Sequence, residues 1–262
     1  MNLDIETIEK IAAHLNQAES NASDTHKITD DFPQMDWDDA YTIQDALRKL
    51  KETQGHKTVG LKAGLTSFAK MKQMGIETPV FGFLSDYMSC IDGDSISMSK
   101  LIHPKVEAEI CVVTKRELKG PGCNMSEVLA AIDFVVPAVE IIDSRYRDFK
   151  FDLKSVVADN TSASRFVIGG KSRNLKELDL PTLGVVLEKN GQIISMAAGA
   201  AVLGHPLTAV VMLANHLGSR GQNIPSGSFI MTGGVTEAIQ VTAGDFISVR
   251  YQDLGTVSMR FV

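Results

Sequence analysis

Apolar positions along this 262-residue chain fall into two textures. Leu3, Ile5, Ile8, Ile11, Ala12 and Leu15 recur at three- and four-residue spacing, which predicts a helix over 3–18. A polar stretch, "NASDTHKITDDFPQMDWDDAY", follows. Asp36 or Asp38 is placed to cap a second helix over 38–53, built on Ala40, Ile43, Ala46, Leu47 and Leu50 and stopped by Gly55. After Gly55 the pattern shortens. "GLKAGLTS" is strand-like but broken by Gly60 and Gly64, and "SFAKMKQMG" reads as a short helix. Short strands are then predicted at 87–91, 106–114, 134–142, 165–169, 183–189, 192–197, 228–233 and 246–252. "EKNGQII" carries the Asn-Gly signal of a tight hairpin. Helices interrupt at 125–131 and 206–219, the second opened by Pro206 and closed by Gly218 or Gly221.

Strands do not alternate regularly with helices, so a doubly wound parallel sheet is disfavoured. The expected fold is α+β: a helical N-terminal region over 1–78, then a β-rich domain over 79–262 that would carry any chemistry. Composition changes this picture little. Hydrophobic residues are 44% and charged residues 22%, an ordinary globular balance. Net charge is -6 with no basic cluster, so neither nucleic acid nor an anionic membrane surface is an expected partner. The opening "MNLDIETIEKIAAHL" is acidic and amphipathic, unlike a signal peptide, and no apolar run approaches the roughly 20 residues of a membrane span. Cys90, Cys111 and Cys123 form no Cys-x-x-Cys pair, which argues against a disulfide framework or a zinc site and for the cytoplasm.

Candidate chemistry begins at "HPKVEAEICVV". On a strand Glu107 and Glu109 share one face, and Val106, Ala108, Ile110 and Val112 share the other. A half-exposed strand with its polar side outward accounts for that pattern by itself more readily than a site does. Glu140 shifts the balance, because it is the one charge in an apolar run from Phe134 to Ile142, where a carboxylate must be paired, protonated or metal-bound. Three oxygen ligands suit Mg²⁺ or Mn²⁺ rather than zinc and leave about three of six positions open, enough for a chelating 2-oxo acid and a water. Such a site is still negative, and Lys62, between flanking glycines, is the candidate for compensating charge. "VVADNTSASRF" is either a plain turn or a donor of hydrogen bonds to a carboxylate. His205 reads as a helix-start residue. No dinucleotide fingerprint, P-loop or Gly-x-Ser-x-Gly is present, so neither a nucleotide cofactor nor a serine nucleophile is indicated.

"GLKAGLTS", "HPKVEAEI", "VVPAVEIIDSR", "VVADN" and "GHPL" occur in that order. The chain thereby resembles the hydratase/decarboxylase branch of the fumarylacetoacetate hydrolase superfamily, over nearly its whole length. The resemblance implies a mixed β-sandwich roll behind helices. It also implies a divalent ion, Mg²⁺ with Mn²⁺ as the alternative, held by Glu107, Glu109 and Glu140. Lys62 would then be catalytic, and Leu65, Thr66, Ser67, Val80 and Ser162 would contact substrate. Enzymes of this branch act consecutively in meta-cleavage catabolism of catechols. A decarboxylase converts 2-oxohex-3-enedioate to 2-hydroxypenta-2,4-dienoate and CO₂, and a hydratase adds water to that dienoate. Hydratases look like "QPDFG" where this chain has "TPVFG", so an Asp important for hydration is Val80 here. "KITDDFPQM", "FKFDLKSVVADN" and "SFIMTGGV" also resemble the decarboxylase side. Val80, Phe81 and Phe83 are then expected to form an apolar wall beside the departing carboxylate. A homo-oligomer and a complex with the hydratase are the implied partners. The sister hydratase is the first rival reading and a non-catalytic scaffold for it is another, which the intact "GLKAGLTS" and the glutamates oppose. A carbon–carbon hydrolase would need an activating histidine, and neither His56 nor His103 has the expected setting.

Overall fold

The computed structural model describes residues 1–262. Its elements in chain order are α1 (Ile5–Ser20), α2 (Ile28–Asp31), α3 (Trp37–Thr53), β1 (Thr58–Gly64), α4 (Phe68–Met74), β2 (Val80–Ser85), β3 (Ser89–Ile91), β4 (Ser95–Ile96), β5 (Lys105–Thr114), α5 (Met125–Ala131), β6 (Ile132–Ile142), α6 (Leu153–Ala158), β7 (Ala163–Ile168), β8 (Arg173–Asn174), β9 (Gly184–Lys189), β10 (Gln192–Ala198), α7 (Pro206–Ser219), β11 (Phe229–Gly234), β12 (Ile239–Gln240), β13 (Phe246–Tyr251) and β14 (Gly255–Phe261).

Local chemistry sets the ends of the long helices. Asp4 accepts the Thr7 N–H to open α1. Asp36, not Asp38, opens α3, in a reciprocal box with Asp39. Ile8, Ile11, Ala12 and Leu15 of α1 are buried, whereas Ile5 is 66% exposed and lies outside the stripe. Gln44 of α3 fastens the helices to the rest by donating to the carbonyls of Phe81 and Val157, both at 2.9 Å.

Two sheets make the body. The larger runs β2-β1-β11-β5-β6-β7-β3, with β12 added to β5 and β8 to β6, and the smaller runs β10-β9-β13-β14-β4. Only β1/β11, β3/β7 and β4/β14 are parallel, as expected for a fold that is not doubly wound. Between the sheets lie Val106, Ala108, Ile110 and Val112 of β5, with Leu187, Val249, Val257 and Met259 of the smaller sheet, all fully buried. Each large aliphatic side chain here contributes about 1.5–3 kcal/mol by leaving water.

The β9–β10 hairpin turns on Asn190 and Gly191, both at positive φ, as its sequence predicts. α2, β2, β4, β8, β12, α6 and β14 escaped the pattern, and two of them show why. β14 follows a turn at Asp253 (φ 61) and Gly255 (φ 88) without an Asn-Gly signal, and six-residue α6 is too short to show a helical period. β1 joins the larger sheet between β2 and β11, so the sheet begins at Thr58 and the division expected at 78/79 falls inside the β1–α4–β2 unit. The stretch Gly199–Ser219 has the length and apolarity of a membrane span. In the fold its Leu207, Val210, Leu213 and Ala214 are core residues.

Candidate metal and substrate site

Register brings the three glutamates together. Antiparallel pairing of β5 with β6 sets Glu107 directly opposite Glu140 and Glu109 opposite Ala138. Each glutamate offers a carboxylate oxygen, and these oxygens lie within 4.8 Å of one another. Like charges directly across a ladder repel. Glu109 and Glu140 are also buried, at 0% and 1% exposure, so the polar-outward reading of β5 does not hold.

Few protein groups compensate. The Gly233 N–H donates to Glu109 Oε2 at 2.7 Å, and Glu109 Oε1 has no partner. Lys62 Nζ lies 2.6 Å from Glu140 Oε1 as an ion pair, and neither oxygen of Glu140 has a hydrogen-bond partner. Desolvation, then the charge of Glu140, pushes the Glu107 carboxyl up to about 7. Burial and the two neighbouring carboxylates raise Glu109 well above the ordinary carboxylate range. Orphaned oxygens, mutual repulsion and the absence of nitrogen or sulfur donors in the cluster all fit a hard divalent cation.

Glycines let backbone crowd the site. A Cβ at Gly233, whose φ is 119, would sit 2.0 Å from Thr66 Oγ1, and one at Gly234 would sit 3.1 Å from Glu107 Oε2. Behind the cluster, the Tyr251 hydroxyl bonds both members of the facing pair, accepting from the Glu109 N–H at 3.3 Å and donating to the Ala138 carbonyl. The smaller sheet thus touches the strand that carries Glu109.

Lys62, 2% exposed, donates to the Thr161 carbonyl at 3.0 Å as well as pairing with Glu140. Thr161 lies in an unusual turn: Asn160, Thr161 and Ser162 have φ 49, 52 and 59 in succession. Left-handed backbone costs of order 1–3 kcal/mol per non-glycine residue and persists only where surroundings over-determine it. The Thr161 and Ser162 hydroxyls are buried without partners. Asn160 packs over Gly82 and brackets Phe83, accepting from its N–H and donating to its carbonyl, both at 2.9 Å.

A cleft of about 350 Å³ opens onto Glu107. Leu65, Thr66 and Ser67 line it, with Lys70, Gln73 and Thr236, which the sequence reading missed. The Ser67 hydroxyl is engaged, accepting from the Lys70 N–H at 3.1 Å as the cap of α4. Lys70 is exposed and makes no ion pair, so it is the cleft's free cation. Ser162, Val80 and Lys62 do not line the cleft, and Lys62 lies buried beside Glu140. Pairing of β1 with β2 puts Val80 opposite Gly64 and Gly82 opposite Lys62, so Val80 shares the Lys62 face. Phe81 and Phe83 point the other way, Phe81 against His216 at 5.0 Å, and cannot join Val80 in one wall. A larger cleft, about 780 Å³ beside Arg48, Glu52 and Pro225, contains none of the three glutamates. His205 caps α7, its Nδ1 accepting from the Leu207 N–H at 3.1 Å.

This chemistry suits a small, oxygen-rich acid held at a cation, not a nucleotide or a nucleophile-driven hydrolysis. The family model described as fumarylacetoacetate (FAA) hydrolase C-terminal matches residues 58–262, and the chain belongs to that family. It is 60% identical over 260 residues to a 4-oxalocrotonate decarboxylase of Pseudomonas putida, covering 99% of this chain and 98% of that protein. A 2-hydroxyhexa-2,4-dienoate hydratase of Comamonas testosteroni is 37% identical, with 98% of each chain covered. The solved structure of 4-oxalocrotonate decarboxylase from Pseudomonas putida G7, complexed with magnesium and adipate, superposes with a TM-score of 0.98 at 59% identity, covering 100% of this chain and 99% of that one.

Proposed function

We propose that this protein decarboxylates 2-oxohex-3-enedioate to 2-hydroxypenta-2,4-dienoate and CO₂, with Mg²⁺ held by Glu107, Glu109 and Glu140. The observation that carries the reading is the carboxylate triad beside Lys62, in which Glu109 Oε1 and both Glu140 oxygens accept no hydrogen bond. Near-full-length identity of 60% to the Pseudomonas putida decarboxylase, against 37% to the Comamonas testosteroni hydratase, supports the reaction class.

In the reaction the C5–C6 bond breaks and C6 leaves as CO₂. The bonding pair moves through C3=C4 to the C2 oxygen, which takes a proton to give the enol. Bound Mg²⁺ would supply Lewis-acid polarisation of the 2-oxo group. Lys62 holds positive charge against Glu140 and keeps the triad from repelling an anionic substrate. The Thr161 carbonyl fixes the direction of that ammonium. Ser162 keeps a free hydroxyl for a substrate carboxylate, at no cost of breaking an existing bond. Leu65 and Thr66 shape the cleft wall. Val80, buried and without a polar atom, leaves no acid/base group where hydration would use one. Lys70 raises the positive potential at the mouth for an incoming dianion.

The setting that goes with this reading is the cytoplasm, in a homo-oligomer associated with the pathway's 2-hydroxypenta-2,4-dienoate hydratase. Co-purification of the two chains tests the association. For the reaction, the protein is incubated with 2-oxohex-3-enedioate and with 2-hydroxypenta-2,4-dienoate. CO₂ release from the first, without hydration of the second, is expected. Hydration of the dienoate with no CO₂ release would assign the sister activity instead.

A further inference from the structure

The left-handed run at Asn160–Ser162 needs restraint from outside, because such backbone normally occurs as single residues. Arg145 supplies it. This arginine is buried, 3% exposed, and its guanidinium grips both ends of the run. Its Nε pairs with the Asp159 carboxylate and its Nη2 donates to the Asp159 carbonyl. Its Nη1 donates to the carbonyls of Ala163 at 2.9 Å and Asp143 at 2.8 Å. The residues just before and just after the turn are therefore held by one planar fork. Asp143 completes the frame by donating its N–H to the Ser162 carbonyl at 2.9 Å.

We propose that Arg145 is a positioning residue: by clamping Asp159 and Ala163 it holds the Thr161 carbonyl where it orients the Lys62 ammonium, and Ser162 where its hydroxyl stays free. The proposal rests on the reading of Lys62 and Ser162 as members of the site. Arg145 touches neither the triad nor the cleft. It acts through three carbonyls that a lysine at the same position could not all reach, since an ammonium lacks the fork.

The test compares Arg145→Lys with the milder Asp159→Asn, both checked for folding by circular dichroism. Lysine side-chain nitrogens are labelled with ¹⁵N, and the Lys62 resonance is assigned by its loss in Lys62→Met. A shifted or broadened Lys62 resonance is expected in both variants. Alongside it, kcat should fall about 100-fold while KM and Mg²⁺ affinity change less than about 3-fold, as misplacement of a polar group predicts. For Arg145→Ala, added guanidinium should restore part of kcat. An unmoved Lys62 resonance in a folded variant overturns the proposal. So does a loss of kcat that only follows the unfolded fraction. Failure of the underlying reading looks different, since Lys62→Met would then keep its kcat whatever the resonance does in the Arg145 variants.

Discussion

The two sides of the site are built by opposite means. On one side, Glu107, Glu109 and Glu140 ride on β5 and β6, where ladder register alone decides that two face each other and the third stands one pleat away. On the other, Lys62 and Ser162 depend on Asn160–Ser162, irregular backbone held by side chains from β1 and the segment after β6 and by the backbone of β2. A regular ladder places charges against their mutual repulsion because many backbone bonds share the load. A strained turn can place a carbonyl and a free hydroxyl that no ladder would leave unpaired.

The largest expected effect comes from the ladder side. Glu109→Gln should keep the strand and lose a ligand charge, weakening Mg²⁺ affinity more than about 100-fold, since even outer partners of metal ligands are worth 10–100-fold. Calorimetric titration with Mg²⁺ reads this directly, and near-native affinity would reduce the triad to a structural cluster.

Next comes the turn. In Gly82→Ala the new Cβ would lie 2.6 Å from Thr161 Oγ1 and 2.8 Å from Asn160 Oδ1. We expect overpacking to cost about 1–3 kcal/mol of stability. A larger fractional loss in kcat than in Mg²⁺ affinity should accompany it, which would separate the two sides experimentally. Equal loss in both would mean that the sides move as one.

Proton linkage gives a smaller, graded effect. Without a cation the Glu107 carboxyl titrates at about 7, pushed up by burial and by Glu140. Below that pH it holds a proton that an incoming cation must displace, and Glu109, raised well above the ordinary carboxylate range, adds to that competition, so Mg²⁺ affinity should fall as pH drops through 7. Titrations in buffers of different ionisation enthalpy should show proton release near neutrality, and Glu107→Gln should abolish that share of it.

Smallest is the rim. Lys70→Met removes the cleft's free cation without touching either framework. KM should rise only a few-fold and lose part of its salt dependence, with kcat near normal, as expected for a steering charge (about 10 Å of screening length at 0.1 M salt).

The same contrast explains what could be read from sequence. Strand parity placed Glu107 and Glu109 on one face, and the apolar neighbours of Glu140 marked it as out of place, because both signals follow the two-residue period of a strand. The direct opposition of Glu107 and Glu140 needed register, which one strand does not encode. Parity also carried the correction at Phe81 and Phe83, which alternate with Val80 and Gly82 and therefore turn away from Lys62. The turn was only half legible: Asp159, Asn160 and Ser162 advertise a turn of any kind, and nothing in their identities foretells three left-handed residues in a row. Arg145 and Gly233 were silent because their partners lie 14 and 124 residues away.

Tyr251 ties the remaining sheet to this plan. Its hydroxyl bonds Glu109 and Ala138 at once, from a strand that contributes no ligand. For anyone recombining parts within the family, that phenol is a compatibility key: a transplanted smaller sheet with phenylalanine at 251 would pack as well in apolar terms and still leave two buried backbone groups at the ligand strand without their shared partner.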